Sequence, residues 1–128
     1  MTKLLYIALG GALGSVLRYL ISTGIVKQYG HLAVWGTFSV NIIGSFLIGI
    51  LWALIENNNN DFIKSLFMIG ILGGFTTFSS YALESLNLLK DNEIKLAAIY
   101  IIATNLGGIL LSFIGYFLMK YLSTNNIS

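Results

Sequence analysis

Residues 62–89 read FIKSLFMIGILGGFTTFSSYALESLNLL, an apolar run whose only charged side chains are Lys64 and Glu84. A helix needs about 20 apolar residues to cross the ~30 Å of hydrocarbon in a bilayer, so the stretch reads as a membrane span. Its centre is not uniformly apolar: Gly70, Gly73 and Gly74 are followed by Thr76, Thr77, Ser79 and Ser80. A glycine pair followed by hydroxyls at mid-membrane is a place where a helix can break, releasing carbonyls and amides that need other partners. The alternative is close packing, since Gly70-x-x-x-Gly74 also fits a contact between small residues of neighbouring helices. Spacing leaves both readings open, and packing is the commoner use of such a pair.

Outward from that stretch, three more apolar runs lie at about 4–25, 34–55 and 96–122, each near spanning length. The pieces between them are short: 27–30 with His31, the asparagine-rich run 57–61, and 90–95. The chain of 128 residues is 56% hydrophobic and 9% charged, with mean hydropathy +0.83. A soluble domain carries about a quarter charged residues, so this chain cannot cover itself with polar surface and lipid must be its solvent. The expected fold is an all-α integral membrane protein of four transmembrane helices forming a single domain over 1–128. The first run is too long for the apolar core of a signal peptide and reads as the first span. Trp35 and Trp52, near opposite ends of the second span, suit the headgroup level.

Charge excludes several classes of function. A formal net charge of +2 is too small to point to nucleic acid, and the absence of cysteine removes disulfides, thiolate metal sites and cysteine nucleophiles. There is one histidine, with no carboxylate pair or nucleophile–base spacing, so no enzyme is expected. Without a phosphate-binding Gly-Lys-Ser/Thr loop, transport should be passive. Lys3, Lys64 and Lys120 fall on the face that carries both termini and Lys27, Lys90 and Lys95 on the other, three against three. The positive-inside rule therefore selects no orientation. Either the chain inserts both ways and pairs antiparallel with itself, or local context settles a weak bias.

Polar side chains inside spans are expensive and usually face a partner helix or a water-filled path. The second span carries Gly36-Thr37-Phe38-Ser39-Val40-Asn41-Ile42-Ile43-Gly44-Ser45-Phe46, in which Asn41 offers an amide near the membrane interior. The fourth span echoes it with Thr104-Asn105-Leu106-Gly107-Gly108. With Gly-Gly-x-Thr-Thr-Phe-Ser at 73–79 and Gly-Gly-x-x-Gly-x-x-x-Arg at 10–18, these motifs resemble the Fluc/CrcB family of fluoride channels over the whole chain, four spans in family order. The resemblance implies a third helix broken near its centre and an antiparallel dual-topology homodimer with two fluoride pores and one central sodium ion. It places the chain in a bacterial inner (cytoplasmic) membrane, reducing fluoride toxicity by passive export.

Residue by residue, the resemblance makes Asn41 the pore asparagine and Phe78 and Tyr81 the pore phenylalanines. Aromatic ring edges carry positive quadrupole density and can face an anion without the full charge that would trap it. Tyr81 departs from the family's phenylalanine by an added hydroxyl. The carbonyls of Gly73 and Thr76 correspond to the sodium ligands at the break, taken as residues 73–77, and two chains would supply four oxygens. Ser79 and Ser80 resemble the family's hydroxyl stretch. Tyr100, Thr104, Gly108 and Ser112 recur every fourth residue as a stripe that either passes an anion or glues helices together. Arg18 and Glu84 are vestibule candidates, though a snorkelling arginine and a solvent-exposed carboxylate are the plainer readings. Two rival functions share this architecture. A proton-coupled drug exporter of the small dual-topology type needs an acid in its first span, where this chain has Arg18 and no Asp or Glu. A noncatalytic membrane subunit of a heteromeric channel leaves the joint presence of Asn41 and the Thr-Thr-Phe-Ser run unexplained.

Overall fold

The computed structural model describes residues 1–29, 33–57 and 60–125. His31, and the Asn58 and Asn59 part of the expected turn, lie outside the described residues. Among the described residues, four helices are long and apolar enough to cross a membrane: Thr2–Gln28, Val34–Ile55, Asp61–Lys90 and Ile94–Asn125. The spans read at 4–25, 62–89 and 96–122 extend outward by a turn or less, because the flanking polar residues continue the helical hydrogen bonds into the headgroup region. No strand occurs among the described residues.

The third span is two helices end to end. Its first half runs over 61–75 and its second over Phe78–Lys90, with Thr76 and Thr77 extended between them. The break is thus shorter than 73–77, and Gly73 remains helical. Within the first half, Lys64–Leu72 is wound as a π-helix, a wide turn that is rare at this length and common at functional sites.

Both readings of the third span's glycines hold, at different places. The first helix packs along the first half of the third, with Gly10, Gly11 and Gly14 against Gly70, Ile71 and Gly74. A Cβ added at Gly70 would sit 2.9 Å from the Gly10 Cα, so only glycines allow this approach. The second and fourth helices make the other extensive contact, where Gly49 meets the Ser112 carbonyl and Gly115 the Phe46 carbonyl. Lipid provides no hydrophobic drive between helices, and the two close approaches supply van der Waals contact instead.

Val40, fully buried, packs with Leu72 and Phe75 under the break, while Tyr81, Leu88, Ala97, Tyr100 and Val34 form a second cluster beside its C-terminal half. Most other large apolar side chains are exposed, as a chain solvated by lipid requires. On the face of the termini Lys3 pairs with Asp61 at 2.7 Å and Lys120 with Glu56. The Glu56 carboxyl, which also accepts from Tyr116 Oη at 2.9 Å, is held below the usual carboxylate range first by Lys120. Asp91 and Glu93 stand in the opposite connection, so each face carries three lysines and two carboxylates.

Candidate functional site

The break is held open by a side chain from another helix. Asn41, on the second helix, accepts the Thr77 amide at its Oδ1 (2.8 Å) and donates from Nδ2 to the Thr77 carbonyl (3.1 Å). A carboxamide has the donor–acceptor pattern of a peptide unit, so Asn41 pairs with Thr77 as a neighbouring strand would. Thr77 is the N-cap of the second half, its Oγ1 accepting the Ser80 amide at 3.1 Å. Gly44 lies against the Thr76 methyl, in space a larger residue would need.

Two carbonyls lose their helical donors as a result. In an unbroken α-helix the Thr77 amide would return to the Gly73 carbonyl and the Ser80 amide to the Thr76 carbonyl. Here the first amide goes to Asn41 and the second to the Thr77 hydroxyl. Among the described residues no other donor reaches either oxygen. These are the two carbonyls expected to hold a cation. No group of His, Cys, Asp or Glu among the described residues could bind a metal, so a cation here would rest on backbone oxygens, which suits a hard ion.

A groove of about 470 Å³ runs beside the break and gathers most of the expected site: Asn41, Gly73, Thr76, Phe78, Tyr81, Thr104 and Ser112 line it. Among the described residues no charged side chain does. The Phe78 ring stands 77% exposed in it, 5.4 Å from the Tyr81 ring, which in turn lies 5.4 Å from that of Tyr100. On the other side of the break a second concavity of about 420 Å³ gathers Arg18, Lys27, Thr37, Ser80 and Glu84, and Thr77 borders both spaces. Ser79 lines neither and stays beside the Thr77 hydroxyl at 3.3 Å.

Three side chains differ from their expected setting. Glu84 is half-buried rather than solvated, because Thr37 Oγ1 and Tyr100 Oη donate to its two oxygens at 2.6 and 2.7 Å. Tyr100 therefore leaves the hydroxyl stripe and turns to the second concavity's acid, while Thr104, Gly108 and Ser112 keep to the groove. The added hydroxyl of Tyr81 is not loose in the groove; it accepts from Asn105 Nδ2 at 2.8 Å. Asn105 and Thr37 were not singled out in the sequence. Each stands inside a quoted polar motif, but its partner lies on another helix.

The arrangement offers an uncharged path bordered by an amide, hydroxyls and aromatic rings, next to a pair of donor-free carbonyls. Such a path can replace part of an anion's hydration without binding it too tightly to leave.

A profile of the family described as CrcB-like protein, Camphor Resistance (CrcB), matches residues 5–116. Three relatives bear the name fluoride-specific ion channel FluC. The Parabacteroides distasonis protein is 39% identical over 97% of this chain and 98% of its own. That of Aquifex aeolicus is 40% identical over 88% of this chain and 92% of its own. That of Phocaeicola vulgatus is 47% identical over 86% and 92%.

Proposed function

Because this chain belongs to the CrcB-like family, we propose that the groove beside the break is the path of a passive fluoride channel, the function its relatives are named for. The observation that carries the reading is the groove's lining, which joins Asn41, Phe78 and Thr104 with no charged side chain. Fluoride is small and strongly hydrated, so its barrier to entering a membrane is dehydration. Neutral donors and aromatic edges lower that barrier, whereas a lysine in the same place would hold the ion. Asn41 Nδ2 has a second hydrogen beyond the one given to the Thr77 carbonyl, and that is the donor we assign to the ion. We assign the second concavity, lined by Arg18 and Lys27 together with several hydroxyls and Glu84, as the vestibule from which the anion reaches the break.

We assign the Gly73 and Thr76 carbonyls to a structural sodium ion shared with a second, antiparallel copy, each chain offering two oxygens. The ion would supply fixed positive charge and tie the two copies together, without redox chemistry or turnover. The part played by this chain is to keep the two carbonyls free, through Asn41 and the Thr77 cap. The matched charges of the two faces let both orientations insert, giving such a dimer in the cytoplasmic membrane. An inside-negative potential then drives fluoride out, at ~2.3 kcal/mol per charge per 100 mV.

The test is fluoride efflux, read by an ion-selective electrode, from liposomes that contain only this purified chain. Rapid efflux with chloride retained is expected. Liposomes no leakier to fluoride than protein-free ones would overturn the channel and leave the partnered-subunit reading standing.

A further inference from the structure

In the groove, the hydroxyl that sets Tyr81 apart from a phenylalanine has only one orientation open to its proton. Asn105 donates from Nδ2 to the Ile101 carbonyl at 2.7 Å and to Tyr81 Oη at 2.8 Å. A carbonyl can only accept, so the nitrogen of Asn105 is the atom that faces Ile101, and both of its hydrogens are then committed. Tyr81 Oη consequently accepts from Asn105, and its own hydrogen must point elsewhere. Among the described residues no acceptor takes it.

A neighbouring hydroxyl is in the same condition. Thr104 Oγ1 is buried and has no hydrogen-bond partner. Elsewhere on these helices Thr23, Ser39, Ser85 and Thr124 donate to the carbonyl four residues back, the ordinary solution for a hydroxyl in a span. Thr104 does not, although a polar atom left unpaired in a buried place is costly. Both residues, Tyr81 and Thr104, line one groove, and no charged side chain lines it among the described residues.

We infer that Tyr81 is a hydrogen-bond donor to the permeating anion, aimed by Asn105 and acting with Thr104, and that it favours small anions that accept strongly over larger, weaker acceptors. The inference rests on the fluoride-channel reading and adds to it a donor that a phenylalanine at this position could not supply. Tyr81 touches the ion, whereas Asn105 is a positioning residue: with both amide hydrogens spent, it acts only by setting the direction of the tyrosine proton. A hydrogen bond to an anion is stronger than one between neutral groups, so its loss should be visible in a rate.

The experiment compares fluoride efflux from liposomes holding the parent, Tyr81→Phe, Asn105→Leu and the double variant, at matched dimer content by gel filtration. Tyr81→Phe should conduct fluoride about tenfold more slowly than the parent, equivalent to about 1.4 kcal/mol on the barrier. Asn105→Leu should lose less, since the hydroxyl survives but turns freely. The double variant should equal Tyr81→Phe, because Asn105 has nothing left to aim. Incorporating 4-fluorophenylalanine at position 81 keeps the size and removes the proton, so it should behave as Tyr81→Phe does and guards against a packing artefact. Tyr81→Phe or the 4-fluorophenylalanine protein conducting within twofold of a conducting parent would overturn the inference, as would losses that multiply in the double variant. A parent that does not conduct at all overturns the channel reading itself, a different result from the same assay.

Discussion

Replacing Asn41 by leucine tests the break and the path together. The substitution roughly keeps volume and removes two hydrogen bonds to one peptide unit, at 2.8 and 3.1 Å. Thr77 is only 7% exposed, so little water is at hand to replace the lost partners of its amide and carbonyl. Each such group left bare costs about 1–3 kcal/mol, so the break as it stands would be disfavoured by about 2–6 kcal/mol. Even the lower figure corresponds to about thirtyfold in population. The chain has one evident way to relieve part of that cost: rewinding, with the Thr77 amide returned to the Gly73 carbonyl. Rewinding consumes an oxygen assigned to sodium and moves Phe78 relative to the second helix. Asn41→Leu should therefore lose nearly all fluoride efflux, and its dimer content in detergent should stop depending on sodium. Asn41→Asp is the informative companion. It retains an acceptor for the Thr77 amide and places a negative charge in a groove that has none, so it should keep the dimer and still block fluoride. An Asn41→Leu protein with parental efflux and parental sodium dependence would refute the role of Asn41 at the break and in the path alike.

Three further outcomes follow from the same geometry. Phe78→Ile should abolish most fluoride efflux with little change in the melting temperature of the detergent-solubilised dimer, because the ring is 77% exposed and, among the described residues, its close aromatic neighbour is Tyr81; a normal rate would remove Phe78 from the path. Gly14→Ala should lower that melting temperature, since its Cβ would be 2.9 Å from the Phe75 amide nitrogen and the two helices would have to part; overpacking of this kind typically costs about 1–3 kcal/mol, and an unchanged melt would mean the contact is dispensable. Single cysteines at Asn57 and Asn92, in a chain that has none of its own, should each be labelled in part from either side of intact cells; labelling from one side only, at both positions, would defeat dual topology.

What could be read in advance depended on whether the cause was local. The second apolar run, read at about 34–55, coincides with the helix Val34–Ile55, because an unbroken apolar run without Gly-Gly or Pro leaves the backbone to bond within itself. The third helix's glycines and threonines allowed a break and close packing alike, and the family resemblance, not the spacing, pointed to the break; where it breaks was not legible at all. Gly73 has the residue type for a break and stays helical, because the amide that matters is that of Thr77 and the side chain that captures it is 36 positions away. The π-helical winding of Lys64–Leu72 left no mark in the sequence at all. Glu84 looked like a solvated acid near a helix end until Thr37 and Tyr100, from two other spans, closed on it. For Tyr81 the hydroxyl could be seen and its direction could not, since Asn105 sets it.

The break also gives an uncharged groove two electrostatic ends of opposite sign, one suited to the cation and one to the anion proposed above. A helix end carries roughly half an elementary charge, negative where carbonyls are bare and positive where amides are. A continuous third span would have placed both ends at the membrane surfaces. Interrupting it at Thr76 and Thr77 sets one of each near mid-membrane: the carbonyl end of 61–75 and the amide end of Phe78–Lys90. At the first, the Gly73 and Thr76 oxygens are without donors. At the second, Thr77 caps only Ser80, and among the described residues no acceptor takes the amides of Phe78 and Ser79. The carbonyl end favours a cation and the amide end an anion, within one turn of chain and with no ionised side chain lining the groove. A full charge there would attract more strongly but release more slowly, and conduction requires release. Partial charges fixed by backbone geometry supply attraction that an ion can leave, and Asn41 is the residue that keeps both ends apart.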